Sequence, residues 1–91
     1  MRILVASNST SKRTDYFIKA GRSLGADTCF VTYDELSAVL PDCRDTVVKL
    51  EPPVFREADF RKYNLLCEEY RSLLSRLADT DKSESVHFLN E

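Results

Sequence analysis

A short apolar run at the start of the chain is followed directly by a longer polar segment. Residues 3–6 are Ile-Leu-Val-Ala, with no alternation of apolar and polar side chains, whereas residues 7–14 are polar throughout. A helical pattern then covers residues 15–24. An uninterrupted apolar run is typical of a strand buried on both faces, as in a parallel sheet covered by helices. The opening therefore predicts an α/β fold, with the polar segment between the first strand and the first helix.

The same alternation of short apolar runs and helical patterns continues along the chain. Apolar runs predict strands at 2–7, 28–33, 47–50 and 86–89. Helical spacing predicts a short helix over 35–40 and a long one over 57–79. Because strands and helices alternate with short connections, we expect parallel strands joined by right-handed crossovers. The prediction is one domain over 1–91, a three-layer α/β/α Rossmann-like fold with a four-stranded parallel sheet, in the order 2-1-3-4 or 3-2-1-4.

Some side chains can be assigned roles within this fold. Asp34 is the expected N-cap of the short helix, and Gly25 is expected to end the first helix in a left-handed conformation. Lys49 lies within an apolar strand, and we expect its ammonium group to reach the edge of the sheet. The long helix has an apolar stripe that we expect to pack against the sheet rather than form a coiled coil. Its members are Phe60, Tyr63, Cys67, Tyr70, Leu74 and Leu77, widened by Leu66 and Leu73.

Composition excludes several classes of protein. The net charge is −2 and the charged residues are interleaved, whereas nucleic-acid binding needs clustered Lys and Arg. No apolar run approaches the roughly 20 residues of a membrane span, and the apolar run of four residues at the start lacks a small-residue cleavage site, so we expect no signal peptide. The three cysteines are widely spaced, with Cys43 in a polar loop and expected to be the most exposed. They favour neither disulfides nor a zinc site, so we expect a reducing cytoplasm.

Two polar segments follow predicted strands and form the candidate binding site. Asn8, Ser9 and Arg13 follow the first strand, and Glu51 and Arg56 follow the third. The carboxyl ends of neighbouring parallel strands meet at one edge of a sheet, where a helix N-terminus favours anions. We expect these residues to bind a polar or anionic small molecule. The alternative is structural: the first group only caps the helix, and Glu51 lies in a solvated turn.

The first loop contains no glycine, so neither a GxGxxG fingerprint nor a P-loop is present. We expect no catalytic residue and no metal ligand in this chain.

The segments in this order resemble the amino-terminal, pre-ATP-grasp domain of bacterial ATP-grasp proteins. The likeness lies in the opening strand, the Asn/Ser/Arg loop over 8–13, the Leu-Glu-Pro-Pro turn at 50–53 and the long helix. The final Phe-Leu-Asn-Glu looks like the start of the segment that leads into the next domain. One departure is Val54 and Phe55, which stand near a turn where the family has a glycine.

The resemblance implies the substrate-side domain of an ATP-dependent carboxylate–amine ligase, the amino-terminal piece of a longer protein. ATP and Mg²⁺ would be held by downstream ATP-grasp domains, so this chain would not catalyse a reaction alone. A freestanding flavodoxin-like or receiver-like interaction module is the alternative, although a receiver expects an acidic cluster after the first strand. The first part of a glycosyltransferase is a third possibility, although that class expects a glycine-rich first loop.

Overall fold

Four strands and three α-helices alternate along the part of the chain that the structure describes. The structure is a computed structural model, and it describes residues 1–55, 60–80 and 86–89. In chain order the elements are β1 (Arg2–Ser7), α1 (Lys12–Ser23), β2 (Asp27–Thr32), α2 (Tyr33–Val39), a 3₁₀ helix (Leu40–Asp42), β3 (Thr46–Leu50), α3 (Phe60–Thr80) and β4 (Val86–Leu89).

The four strands form one parallel sheet in the order β2-β1-β3-β4. The predicted α/β fold is therefore confirmed, and of the two strand orders left open by the sequence the structure has 2-1-3-4. β1 lies inside the sheet, and its residues Leu4, Val5 and Ala6 have no exposed surface. Strands buried on both faces have continuous apolar sequences, which is why the opening run predicts the centre of the sheet.

Helices cover both faces of the sheet. Leu4, Ala6 and Val48 belong to a buried cluster that includes side chains of α2 and α3. Neighbouring strand residues point to the opposite face, where Val5 and Lys49 lie close to α1. The chain thus crosses from β1 to β2 over one face, and from β2 to β3 and on to β4 over the other. The direction of progress through the sheet reverses between β1 and β3.

Side-chain caps fix where the first two helices begin. Ser11 is the N-cap of α1 and forms a reciprocal capping box with Thr14. Thr32 is the N-cap of α2 and forms the same motif with Glu35, so the prediction that Asp34 caps this helix is wrong. The reason is that β2 runs into α2 without a loop, which makes the last strand residue the cap. Gly25 has a φ of 83° directly after the end of α1, as predicted.

The apolar stripe of α3 is buried over only part of its length. Leu73 and Leu77 are buried, and Leu66, Tyr70 and Leu74 pack partly against the core. Phe60 is 69% exposed, so its predicted packing against the sheet is wrong. α3 has 21 residues and is about 31 Å long, whereas the five residues of β3 span only about 17 Å. Its first turns therefore project past the carboxyl ends of the strands. The predicted start at residue 57 lies outside the described residues.

Cys43 is buried, contrary to the expectation that it is the most exposed cysteine. Its thiol donates a hydrogen bond to the carbonyl oxygen of Val39 at 3.3 Å. The 3₁₀ helix turns the polar loop back over the core and carries this side chain inward, which the composition of the loop does not reveal.

Candidate functional site at the carboxyl ends of β1 and β3

The reversal between β1 and β3 places two polar segments next to each other. The residues after β1 and those after β3 meet where the two crossover connections leave in opposite directions. Open α/β sheets bind ligands at this position, which is called the switch point, because no helix covers the gap between the diverging connections. Three of the predicted site residues, Asn8, Arg13 and Glu51, lie there in the structure.

The last residue of β1 and the residue after it hold the segment that follows β3. The Asn8 amide forms two bonds with the backbone of Val54: its Nδ2 donates to the carbonyl at 3.1 Å, and its Oδ1 accepts from the N–H at 2.7 Å. The Ser7 hydroxyl donates to the carbonyl oxygen of Pro52 at 3.2 Å. These bonds continue the pairing of β1 with β3 past the end of the sheet. Asn8 therefore positions the wall of the site, and Ser11, rather than Asn8 or Ser9, caps α1.

Glu51 is buried between two cations. It is only 3% exposed, so the alternative of a solvated turn is wrong. Its Oε2 accepts a hydrogen bond from Lys49 Nζ at 2.8 Å, and its Oε1 accepts one from Arg13 Nε. Both cations also approach the ring of Phe17, with Lys49 Nζ 5.1 Å and Arg13 Cζ 5.4 Å from its centroid. We call Arg13, Lys49 and Glu51 the charge triad.

The prediction that the ammonium group of Lys49 reaches the edge of the sheet is wrong, because its partner, Glu51, is close. Glu51 lies two residues further along the same strand direction, so both side chains point to the same face. The ammonium group of Lys49 is buried on that face and forms an ion pair with Glu51. Removing one partner from a buried pair would leave the other charge without compensation, which typically costs about 3–5 kcal/mol. The geometry of the triad is therefore strongly constrained.

The triad has an excess of one positive charge, and Arg13 is its exposed member. The side chain of Arg13 is 58% exposed, whereas those of Lys49 and Glu51 are buried. Arg13 lies in the first turn of α1, where backbone N–H groups add partial positive charge. The predicted residues Arg13 and Glu51 thus combine into a guanidinium group held at a fixed place beside a helix N-terminus.

Tyr33 supports the same segment from the other face, and the sequence analysis did not identify it. Its hydroxyl donates to the carbonyl oxygen of Glu51 at 2.6 Å from a buried position. Burial raises the pKa of Tyr33 well above its ordinary value, while a hydrogen bond with Ser7 acts in the opposite direction. The phenol therefore stays protonated and remains a donor. Its only sequence signal is its place at the junction of β2 and α2.

Two concave regions adjoin at Val54. The first, which we call the crevice, has a volume of about 340 Å³ and contains the exposed part of the triad. It is lined by Ser7, Ser11, Arg13, Glu51, Pro52 and Val54. The second, which we call the groove, has a volume of about 840 Å³ and lies between Val54 and α3. It is lined by Asn8, Ser9, Val54, Lys62, Tyr63, Leu65, Leu66, Glu68, Glu69 and Ser72.

The remaining predicted site residues have different outcomes. Ser9 lines the groove rather than the crevice. Arg56 lies outside the described residues. In the lining of the groove, desolvation and the neighbouring Asp34 carboxylate raise the pKa of Glu69 above its ordinary value. With Glu68 beside it, this part of the groove lining is acidic, whereas the lining of the crevice has one cation, Arg13, and one carboxylate, Glu51.

Two features that are common in nucleotide-binding sites do not occur in the residues that the structure describes. The loop between β1 and α1 has no glycine that would let a backbone approach phosphates. Within 1–55, 60–80 and 86–89, no group of three or more His, Cys, Asp or Glu could hold a metal ion. No helix in this part of the chain is long and apolar enough to cross a membrane.

No family model, curated protein or solved structure matches this chain.

Proposed function

We propose that this chain is the substrate-side domain of an ATP-grasp-type carboxylate–amine ligase, and that it binds the anionic group of a small substrate in the crevice. The observation that carries the binding step is the placement of Arg13. Glu51 holds the guanidinium at the mouth of the crevice, and Lys49 neutralises the other oxygen of Glu51. The ligase assignment is supported by the sequence resemblance.

The triad would favour binding by fixing the cation before the ligand arrives. Arginine has about 2 kcal/mol of rotamer entropy, part of which an existing ion pair has already removed. A planar guanidinium recognises carboxylate and phosphate groups through two parallel bonds. The N-terminus of α1 adds donors on the same side. A substrate held this way would have its other end outside the crevice, where a partner domain could act on it.

In this proposal ATP and Mg²⁺ are bound by downstream domains in the cytoplasm, and this chain contributes no residue to them. The 91-residue chain should then show no micromolar affinity for Mg-ATP by calorimetry. Micromolar binding would overturn the assignment and favour an independent nucleotide-binding module.

A second candidate is a flavodoxin-like interaction module. The strand order 2-1-3-4 favours it, because flavodoxin-like folds begin with this order. The two candidates differ at the switch point: a binding domain loses its ligand when Arg13 is replaced, whereas a module that acts through its surface helices does not depend on the crevice.

The test is an amide chemical-shift titration of the chain with acetate and with inorganic phosphate at low ionic strength. Arg13→Gln should weaken binding of the preferred anion at least about tenfold, the lower end for a hydrogen bond to a charged group. Arg71→Gln is the matched control, since Arg71 is exposed on α3 and does not line either concave region. Equal affinities for Arg13→Gln and the parent would contradict the proposal. In the longer protein, Arg13→Ala should raise the KM for the acceptor and leave that for ATP unchanged.

A further inference from the structure

The groove beside the crevice is concave and largely apolar. Its wall contains Val54, Tyr63, Leu65 and Leu66, and Leu65 is 62% exposed. Its volume of about 840 Å³ falls in the range of about 300–1,000 Å³ for small-molecule sites. An exposed leucine on a convex surface is ordinary, but apolar side chains gathered around one concavity are typical of ligand sites.

The packing of α3 explains why this groove is open. The first turns of the helix extend past the strands, so the sheet cannot cover their apolar side. The rings of Phe55 and Phe60 stack at 5.7 Å, and Tyr63 meets Phe55 edge to face at 5.0 Å. These aromatic contacts hold the start of α3 against the segment after β3. The groove is thus bounded by a helix and by a segment that Asn8 holds in place.

The groove and the crevice are neighbouring concavities that share a wall residue. Val54 lines both, and Asn8, which lines the groove, binds the backbone of Val54. From Lys62 to Ser72 the groove follows α3 for about 15 Å. A ligand whose anionic group contacts Arg13 would therefore have an apolar surface available for the rest of its length.

We infer that the substrate bound by this domain is a carboxylate with an apolar body, its carboxylate at Arg13 in the crevice and its body in the groove along α3. The inference rests on the proposed function, since it extends the ligand from the same crevice. Glu68 and Glu69 also line the groove and disfavour a carboxylate beside them, which leaves Arg13 and Lys62 as the cations in the two linings that could hold one.

The experiment is a titration of the chain with straight-chain carboxylates: acetate, butanoate, hexanoate and octanoate. Burying each methylene contributes up to about 0.8 kcal/mol, so affinity should rise about two- to fourfold per methylene until the groove is filled. Octanamide, which keeps the apolar body but lacks the charge, should bind at least tenfold more weakly than octanoate.

Two matched leucine variants locate the apolar body. Leu65→Ser should reduce the gain in affinity per methylene, because Leu65 lines the groove. Leu24→Ser is the control: Leu24 is 84% exposed and lies on the α1 face, so octanoate affinity should not change. Circular dichroism melts of both variants would show that each is folded, since neither side chain is buried.

The outcomes separate this inference from the proposed function. If acetate and octanoate bind equally and both need Arg13, the inference is wrong and the crevice proposal stands. If neither the carboxylates nor inorganic phosphate bind, both are wrong, whereas binding of phosphate alone would overturn the inference and leave the crevice proposal standing. Octanoate binding that depends on Lys62 rather than Arg13, or that Leu24→Ser weakens as much as Leu65→Ser does, would overturn the inference by placing the ligand elsewhere.

Discussion

At the scale of single residues, the charge triad determines both stability and the chemistry of the crevice. Glu51 is buried, and its two oxygens contact two cations, one buried and one half exposed. A buried ion pair often adds little to stability relative to apolar residues of similar size. The fixed geometry of this ion-pair network matters more here, because it holds Arg13 beside the N-terminus of α1.

Replacing the buried lysine tests how much the charge triad contributes to stability. Lys49→Met leaves Glu51 buried with one half-exposed partner and should lower the free energy of unfolding by about 3–5 kcal/mol. The double variant Lys49→Met/Glu51→Leu should recover most of that loss, because Arg13 can then turn to solvent. Urea denaturation measures both values. If Lys49→Met lowered the free energy of unfolding by less than about 1 kcal/mol, the buried pair of Lys49 and Glu51 would be contradicted.

The double variant also separates folding from binding. It should be folded but should bind the anion more weakly than the parent, because the ion pair of Arg13 with Glu51 is then lost. Parent-like affinity in the folded double variant would show that the triad does not position the guanidinium.

At the scale of elements, α1 lies unusually close to the sheet at Gly21. A Cβ placed on Gly21 would lie 2.3 Å from Thr28 Oγ1 and 2.9 Å from its Cγ2. The hydroxyl-bearing strand residue therefore fills the space that a side chain on the helix would need. This contact fixes how deeply α1 packs on β2, and so where its N-terminus lies relative to the crevice.

Gly21→Ala should lower stability by about 1–2 kcal/mol, because the steric conflict exceeds the gain of about 1 kcal/mol from helix propensity. In a Thr28→Ala background the conflict is largely removed, and the same substitution should be neutral or stabilising. Gly25→Ala is the control: its φ of 83° makes alanine unfavourable, with no neighbour within 4 Å, so its effect should not depend on Thr28. Thermal melts measure these effects. If Gly21→Ala changed the stability equally in the parent and in the Thr28→Ala background, the close packing of Gly21 on Thr28 would be contradicted.

The elements also show what the sequence could predict. Continuous apolar runs identify buried strands, so the parallel sheet and its four strands followed from local pattern. Strand order did not, because 2-1-3-4 and 3-2-1-4 bury the same runs. The burial of Phe60 was overestimated because periodicity reports which face of a helix is apolar, and not how far the sheet extends beneath it.

At the scale of the whole molecule, the reversal of direction between β1 and β3 brings the candidate site together. Arg13 and Glu51 are 38 positions apart in the chain, and only the strand order makes them neighbours. Local pattern indicated that both follow strands, which is why they were predicted. The support from Tyr33 and the open groove could not be predicted, since both depend on how α2 and α3 pack over the far face.

The central claim is that a carboxylate ligand occupies the crevice and the adjoining groove. Amide chemical-shift mapping of the chain with hexanoate tests it most directly, because it reports the binding position residue by residue. The largest shifts should occur in 8–14, at Glu51 and Val54, and along 62–72 of α3, since Pro52 and Pro53 have no amide proton. Shifts confined to the α1 face around Leu24 and Leu89, or spread evenly over the surface, would contradict the claim.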